Sequence, residues 1–73
     1  MNSYNKIIKI SSDKRFGRPC IRNTRITVSD ILGWLGSGMS FEDILQDFPE
    51  LSREDIKASL MFAADRERKL QTI

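Results

Sequence analysis

The chain has 73 residues, one cysteine, no histidine and a formal net charge of +2. That length makes one small domain burying roughly 60% of its unfolded surface. The cysteine and histidine counts exclude an intrachain disulfide and the usual zinc sites. No apolar run exceeds a few residues, so neither a signal peptide nor a membrane span is expected and the cytoplasm is the expected location.

The charge is unevenly spread. Residues 1–25 carry seven cations (Lys6, Lys9, Lys14, Arg15, Arg18, Arg22, Arg25) against Asp13, a net of +6. Residues 26–60 carry seven anions against Arg53 and Lys57, a net of −5. A basic arm is joined to an acidic body, and that asymmetry bears on partners more than the overall charge does.

In chain order, residues 1–5 are polar and expected to fray. Lys6 to Ile10 is a short β-type run, with Ile8 and Ile10 on one face and Lys9 opposite. Ser11 to Gly17 reads as a loop. Arg18 to Ile21 is extended again, because proline disfavours the helix for itself and its predecessor. Cys20 in that segment is either a packed thiol or a reactive one; with no histidine to activate it, packing is favoured. A turn at Asn23-Thr24 leads to Arg25-Ile26. The arm spans 6–26. As a two-stranded ribbon it is unstable alone and must lie on helices or pair with another chain.

Residues 27–69 are expected to form three helices, with 70–73 as a tail. One phrase occurs three times: Ile26-Thr27-Val28-Ser29-Asp30-Ile31, Met39-Ser40-Phe41-Glu42-Asp43-Ile44 and Leu51-Ser52-Arg53-Glu54-Asp55-Ile56. Each is a helix start. The hydroxyl accepts from an orphan backbone N–H of the first turn, and the acid at the third position answers the helix dipole. That acid can also reach back to the cap's own N–H, although Asp is shorter than the usual Glu. The flanking apolar pairs match a hydrophobic staple. Helices are therefore predicted over Val28 to about Leu35, Phe41 to Phe48, and Arg53 to about Lys69. Val28, Ile31, Leu32 and Leu35 stripe the first; Phe41, Ile44, Leu45 and Phe48 the second; Ile56, Leu60 and Ala63 the third. Gly36 and Gly38 break the first, and Pro49 stops the second. Trp34 either covers the core edge or contacts a partner. Met61, Phe62 and Ala64 widen the third helix's apolar surface, which suggests another protomer or the arm against it.

No histidine, activated-nucleophile motif or phosphate-binding glycine loop is present, and most carboxylates serve as helix-start anions. A non-enzymatic role without cofactor, metal or small-molecule substrate is expected. The second and third helices resemble a helix-turn-helix, but Glu54 and Asp55 would meet the phosphates beside Arg53 and Lys57. Lys14, Arg15, Arg18, Arg22 and Arg25 are the better candidates for an anionic partner. An extended Arg18–Arg22 run would aim both arginines one way. Such an arm can clamp DNA, dock on an acidic protein, or simply stay solvated.

The string Gly17-Arg18-Pro19-Cys20-Ile21-Arg22-Asn23-Thr24-Arg25-Ile26-Thr27-Val28, with Asp30-Ile31-Leu32, Gly38-Met39-Ser40, Glu42-Asp43-Ile44-Leu45, Phe48-Pro49 and Leu51 to Ile56, resembles the family known as domain of unknown function 433. The likeness spans about residues 7–65. It implies a mainly α fold with a short N-terminal β element and a three-helix, homeodomain-like (helix-turn-helix-like) core, often dimeric. It also implies a VapB-like antitoxin that neutralises a PIN-like ribonuclease toxin and autoregulates its operon. The alternative is a dimeric DNA-binding module without a toxin. A homodimer is expected through Ile7, Ile8, Ile10, Met61 and Phe62. Arg15, Arg18, Arg22 or Arg25 is expected to reach the toxin's acidic site.

Overall fold

The computed structural model describes residues 3–11 and 15–71; Lys14 lies outside them. The architecture is mainly helical: α1 (Val28–Gly36), α2 (Phe41–Asp47) and α3 (Arg53–Gln71), preceded by β1 (Ile8–Lys9) and β2 (Cys20–Ile21).

All three helix starts form as the repeated phrase predicts, and Asp proves long enough for a reciprocal cap in each. At Thr27–Asp30 the two hydrogen bonds measure 3.0 and 3.1 Å, and at Ser40–Asp43 both measure 3.0 Å. At Ser52–Asp55 they measure 2.9 and 3.3 Å. Each cap is worth about 1 kcal/mol, a large share for a domain of this size. The first helix continues through Gly36, and the reversal is made by Gly38 at φ +107°, where L side chains are strained.

β1 and β2 pair antiparallel, Ile8 opposite Ile21 and Lys9 opposite Cys20. Cys20 also bridges Thr27, and the Ile21 N–H donates to Ile26 O at 2.9 Å. The intervening turn closes through Thr24, whose N–H and hydroxyl both donate to Ile21 O. The arm is thus folded onto its own helices and needs no second chain to pair with. Ile8 and Ile21 join Val28, Ile31, Ile44, Leu51, Ile56 and Ala58 in one core. Ile21, Ile31, Ile44 and Ile56 are fully buried, each contributing roughly 1.5–3 kcal/mol.

Three expectations are corrected. Residues Ser3–Lys6 form a 3₁₀ turn instead of a frayed end; the Tyr4 hydroxyl donates to Asp65 Oδ2 at 2.6 Å and its ring meets Phe62 edge-on. The strand is two residues long, so Ile8 is buried while Ile10 is exposed. Leu60 is exposed, because α3 turns Asp55, Ile56, Ala58 and Ser59 inward instead. Cys20 is buried, with its thiol donating to Arg18 O.

Candidate functional site

The arm's cations divide into those used inside the fold and those left at its surface. Arg22 belongs to the first group. It sits at φ +44°, so the extended run ends at Ile21 and the alternation that would align Arg18 with Arg22 is lost. Its backbone N–H donates to Ile7 O at 2.6 Å. Its guanidinium donates to Asp55 Oδ1 at 2.8 Å and to Glu50 O at 2.9 Å. Asp55 is 0% exposed, and its other oxygen accepts the Ser52 N–H. One carboxylate thus closes the α3 cap and holds the arm to the α2–α3 connection. A buried carboxylate requires such partners, so Arg22 is a structural residue rather than a free binding one.

Arg15 is also engaged. Its Nη1 donates to Arg25 O at 2.8 Å and lies 3.7 Å from Asp30 Oδ2, the acid of the α1 cap. Arg53 donates to Glu42 Oε2 at 2.9 Å and lies over the Phe41 ring. That hydrogen bond is the chief reason the Glu42 carboxyl lies below its usual range. Lys57 is exposed. The charge argument at the start of α3 is half corrected: Glu54 is exposed, but Asp55 faces the core and would not meet a phosphate groove.

Arg18 and Arg25 are exposed, with no side-chain ion pair among the described residues. They flank a feature that the reading of the sequence missed. Arg15, Phe16 and Gly17 are consecutively left-handed, at φ 52°, 59° and 79°, and the Arg18 N–H closes this turn onto Arg15 O. Phe16 stands at its tip, 97% exposed. A bulky residue at positive φ is a genuine outlier, so an aromatic is held outward at a backbone cost. Gly17 is the only local sequence signal for such a turn.

A groove of about 340 Å³ between the arm, α1 and α3 is lined by Pro19, Val28, Ser29, Leu32, Phe62, Ala63, Arg66 and Glu67. Of the proposed dimer residues, Ile8 is withdrawn into the core, Ile7 and Phe62 are half-buried against it, and Ile10 and Met61 are exposed. Trp34 stacks on Phe48 at 4.2 Å, which assigns it to the edge of the core. Among the described residues no group of histidine, cysteine and acidic side chains could hold a metal, and no helix is long and apolar enough to cross a membrane.

Residues 8–63 match the family described as "Protein of unknown function (DUF433)". No curated protein matches the chain. It is similar to the crystal structure of a DUF433 member protein from Anabaena variabilis, with 26% identity and a TM-score of 0.82. The alignment covers 88% of this chain and 63% of that one, so the chain spans less than two thirds of that protein's length.

Proposed function

The chain belongs to the DUF433 family, and we propose that it is a non-enzymatic, antitoxin-like interaction protein that binds and neutralises a PIN-like ribonuclease. The observation carrying this reading is the division of the arm's arginines. Arg15 and Arg22 fix the arm's shape, while Arg18 and Arg25 stay at the surface. A guanidinium forks onto a carboxylate through two parallel hydrogen bonds. Ribonucleases that hold Mg²⁺ with clustered carboxylates offer such a target, and a guanidinium seated there competes with the metal. Arg18 and Arg25 are the residues assigned to this contact. Lys14 extends the same basic stretch in sequence.

The test is co-expression with the protein encoded beside this gene, followed by a ribonuclease assay. Arg18→Ala/Arg25→Ala should abolish inhibition and leave the helical circular dichroism unchanged. Inhibition that survives the double substitution removes the arm from the mechanism. The pair is preferred over a substitution of all four arginines, because Arg22 and Arg15 hold the fold.

A second reading is a homeodomain-like, helix-turn-helix-like DNA-binding module that regulates its own operon, with or without a toxin. It is favoured by the inward turn of Asp55, which removes one of two anions from the exposed start of α3 beside Arg53 and Lys57. Its affinity for its own promoter should fall steeply with salt. Absence of binding at low salt would refute it. Both readings place the protein in the cytoplasm.

A further inference from the structure

We infer that the tip of the arm binds single-stranded nucleic acid, with one base stacked on the Phe16 ring and its neighbouring phosphates on Arg18 and Arg25. The inference does not rest on the ribonuclease reading, which leaves Phe16 unused. It differs from the duplex reading too, which uses the start of α3. The ring of Phe16 is 97% exposed. The Arg18 N–H donates to Arg15 O at 3.1 Å, so the turn brings Arg18 back beside the residue that precedes the ring. The Arg15 guanidinium donates to Arg25 O at 2.8 Å, which ties the backbone of the second cation to that same residue. Arg18 and Arg25 are both exposed. One π-face and two surface cations are thus gathered around a single turn.

The surroundings of the ring select this partner. An aromatic that anchors a protein contact sits among further packed side chains that exclude water. Membrane binding at an interface scales with the apolar area buried. Phe16 is the one apolar side chain between Ser11 and Arg18, so neither demand is met at the tip. A base needs only a π-face, and its phosphates need only cations. Inside a duplex both faces of a base are covered by its neighbours, so the ring meets a base where the strand is unpaired and unstacked. Arg15, Phe16 and Gly17 at φ 52°, 59° and 79° already hold the ring away from the body. Little ordering of the ring is left for binding to impose. Stacking tolerates any base, so the expected ligand class is unpaired RNA or DNA without sequence preference.

The test is fluorescence anisotropy of short labelled oligo(U) and oligo(dT), titrated at low salt with the full chain, with circular dichroism as the folding control. Wild type should bind both, and bind a duplex of the same length more weakly. Phe16→Ala should weaken binding about 10-fold. Phe16→Leu keeps the apolar bulk without the π-face and should lose as much, whereas Phe16→Trp should bind at least as well as wild type. Arg18→Ala/Arg25→Ala should flatten the slope of log affinity against log salt by about 1.4, two phosphates at about 0.7 each. No binding at low salt overturns the inference. So does an affinity unchanged by Phe16→Ala, a Phe16→Leu chain that binds like wild type, or a preference for the duplex. Capture by phosphatidylserine vesicles through Phe16, without oligonucleotide binding, would assign the tip to a membrane surface and overturn it as well.

Discussion

Arg22→Ala should destabilise the fold far more than a half-exposed arginine on a surface turn normally would. The substitution leaves Asp55, 0% exposed, with the Ser52 N–H on one oxygen and nothing on the other. Removing one member of a buried ion pair costs about 3–5 kcal/mol. Arg22 keeps 41% of its side-chain exposure, so water can replace part of the lost contact and the low end of that range applies. The hydrogen bond to Glu50 O adds about 1 kcal/mol. A loss of about 4 kcal/mol is therefore expected, a melting temperature lower by roughly 16–32 °C for a domain of this size. Thermal and urea denaturation followed by circular dichroism would measure it. Asp55→Asn keeps an oxygen for the cap and removes the buried charge, so Arg22→Ala should cost much less in that background. The reasoning fails if Arg22→Ala costs under about 1 kcal/mol, or if the double-mutant cycle closes with no coupling.

Three further outcomes follow from the geometry. Tyr4 is the sole tyrosine, and its hydrogen bond to Asp65, ahead of burial, raises its phenol above the ordinary range. The same bond, with Arg68 adding to it, lowers Asp65 against the opposing effect of burial. A raised phenol contributes stability that is full below the ordinary tyrosine range and lost as pH rises through its folded value. A lowered carboxyl contributes above the ordinary aspartate range and loses that contribution as pH falls through its folded value. The contact therefore spans the interval between the two. Tyrosinate absorbance should show a midpoint that drops in Asp65→Asn, and equal midpoints would contradict the bond. Phe16→Gly should stabilise the monomer by about 0.5–1 kcal/mol in urea melts, since glycine adopts φ +59° without strain; a loss of stability would show that the ring has contacts within its own chain. Ser40→Ala should cost about 1 kcal/mol by the same assay, and a neutral result would remove the second cap from the account.

The helical half of this fold was legible because its signals are local. A hydroxyl, an acid three residues on and a flanking apolar pair state a helix start within six residues, and all three starts form at the expected positions. The arm was less legible because its decisive partners are distant in sequence. Arg22 and Asp55 lie 33 positions apart, so each looked like a surface charge: one a binding arginine, the other an anion facing DNA. Leu60 misled for a related reason. The inward face of α3 carries Asp55 and Ser59, and an apolar stripe drawn without them is rotated towards solvent. Ser59 spends its hydroxyl on Asp55 O at 3.1 Å, which makes its burial possible. Alternation over Lys6 to Ile10 failed at Ile10 because only two of those residues pair. The turn that projects Phe16 rests on two non-glycine residues at positive φ, a conformation that local preference opposes and no local pattern announces.

On the proposed reading, the surface arginines of a structurally fixed arm occupy an acidic ribonuclease site. That reading is tested most directly by the inhibition constant against any ribonuclease activity of the protein encoded beside this gene, for wild type and for Arg18→Ala/Arg25→Ala, at matched salt and Mg²⁺. Each lost charge-assisted hydrogen bond is worth about 1.5–3 kcal/mol, so the double variant should inhibit at least about 100-fold less well. Rising Mg²⁺ should relieve inhibition by the wild type. An inhibition constant unchanged by the double substitution, or a neighbouring protein that neither binds nor is inhibited, would contradict the account.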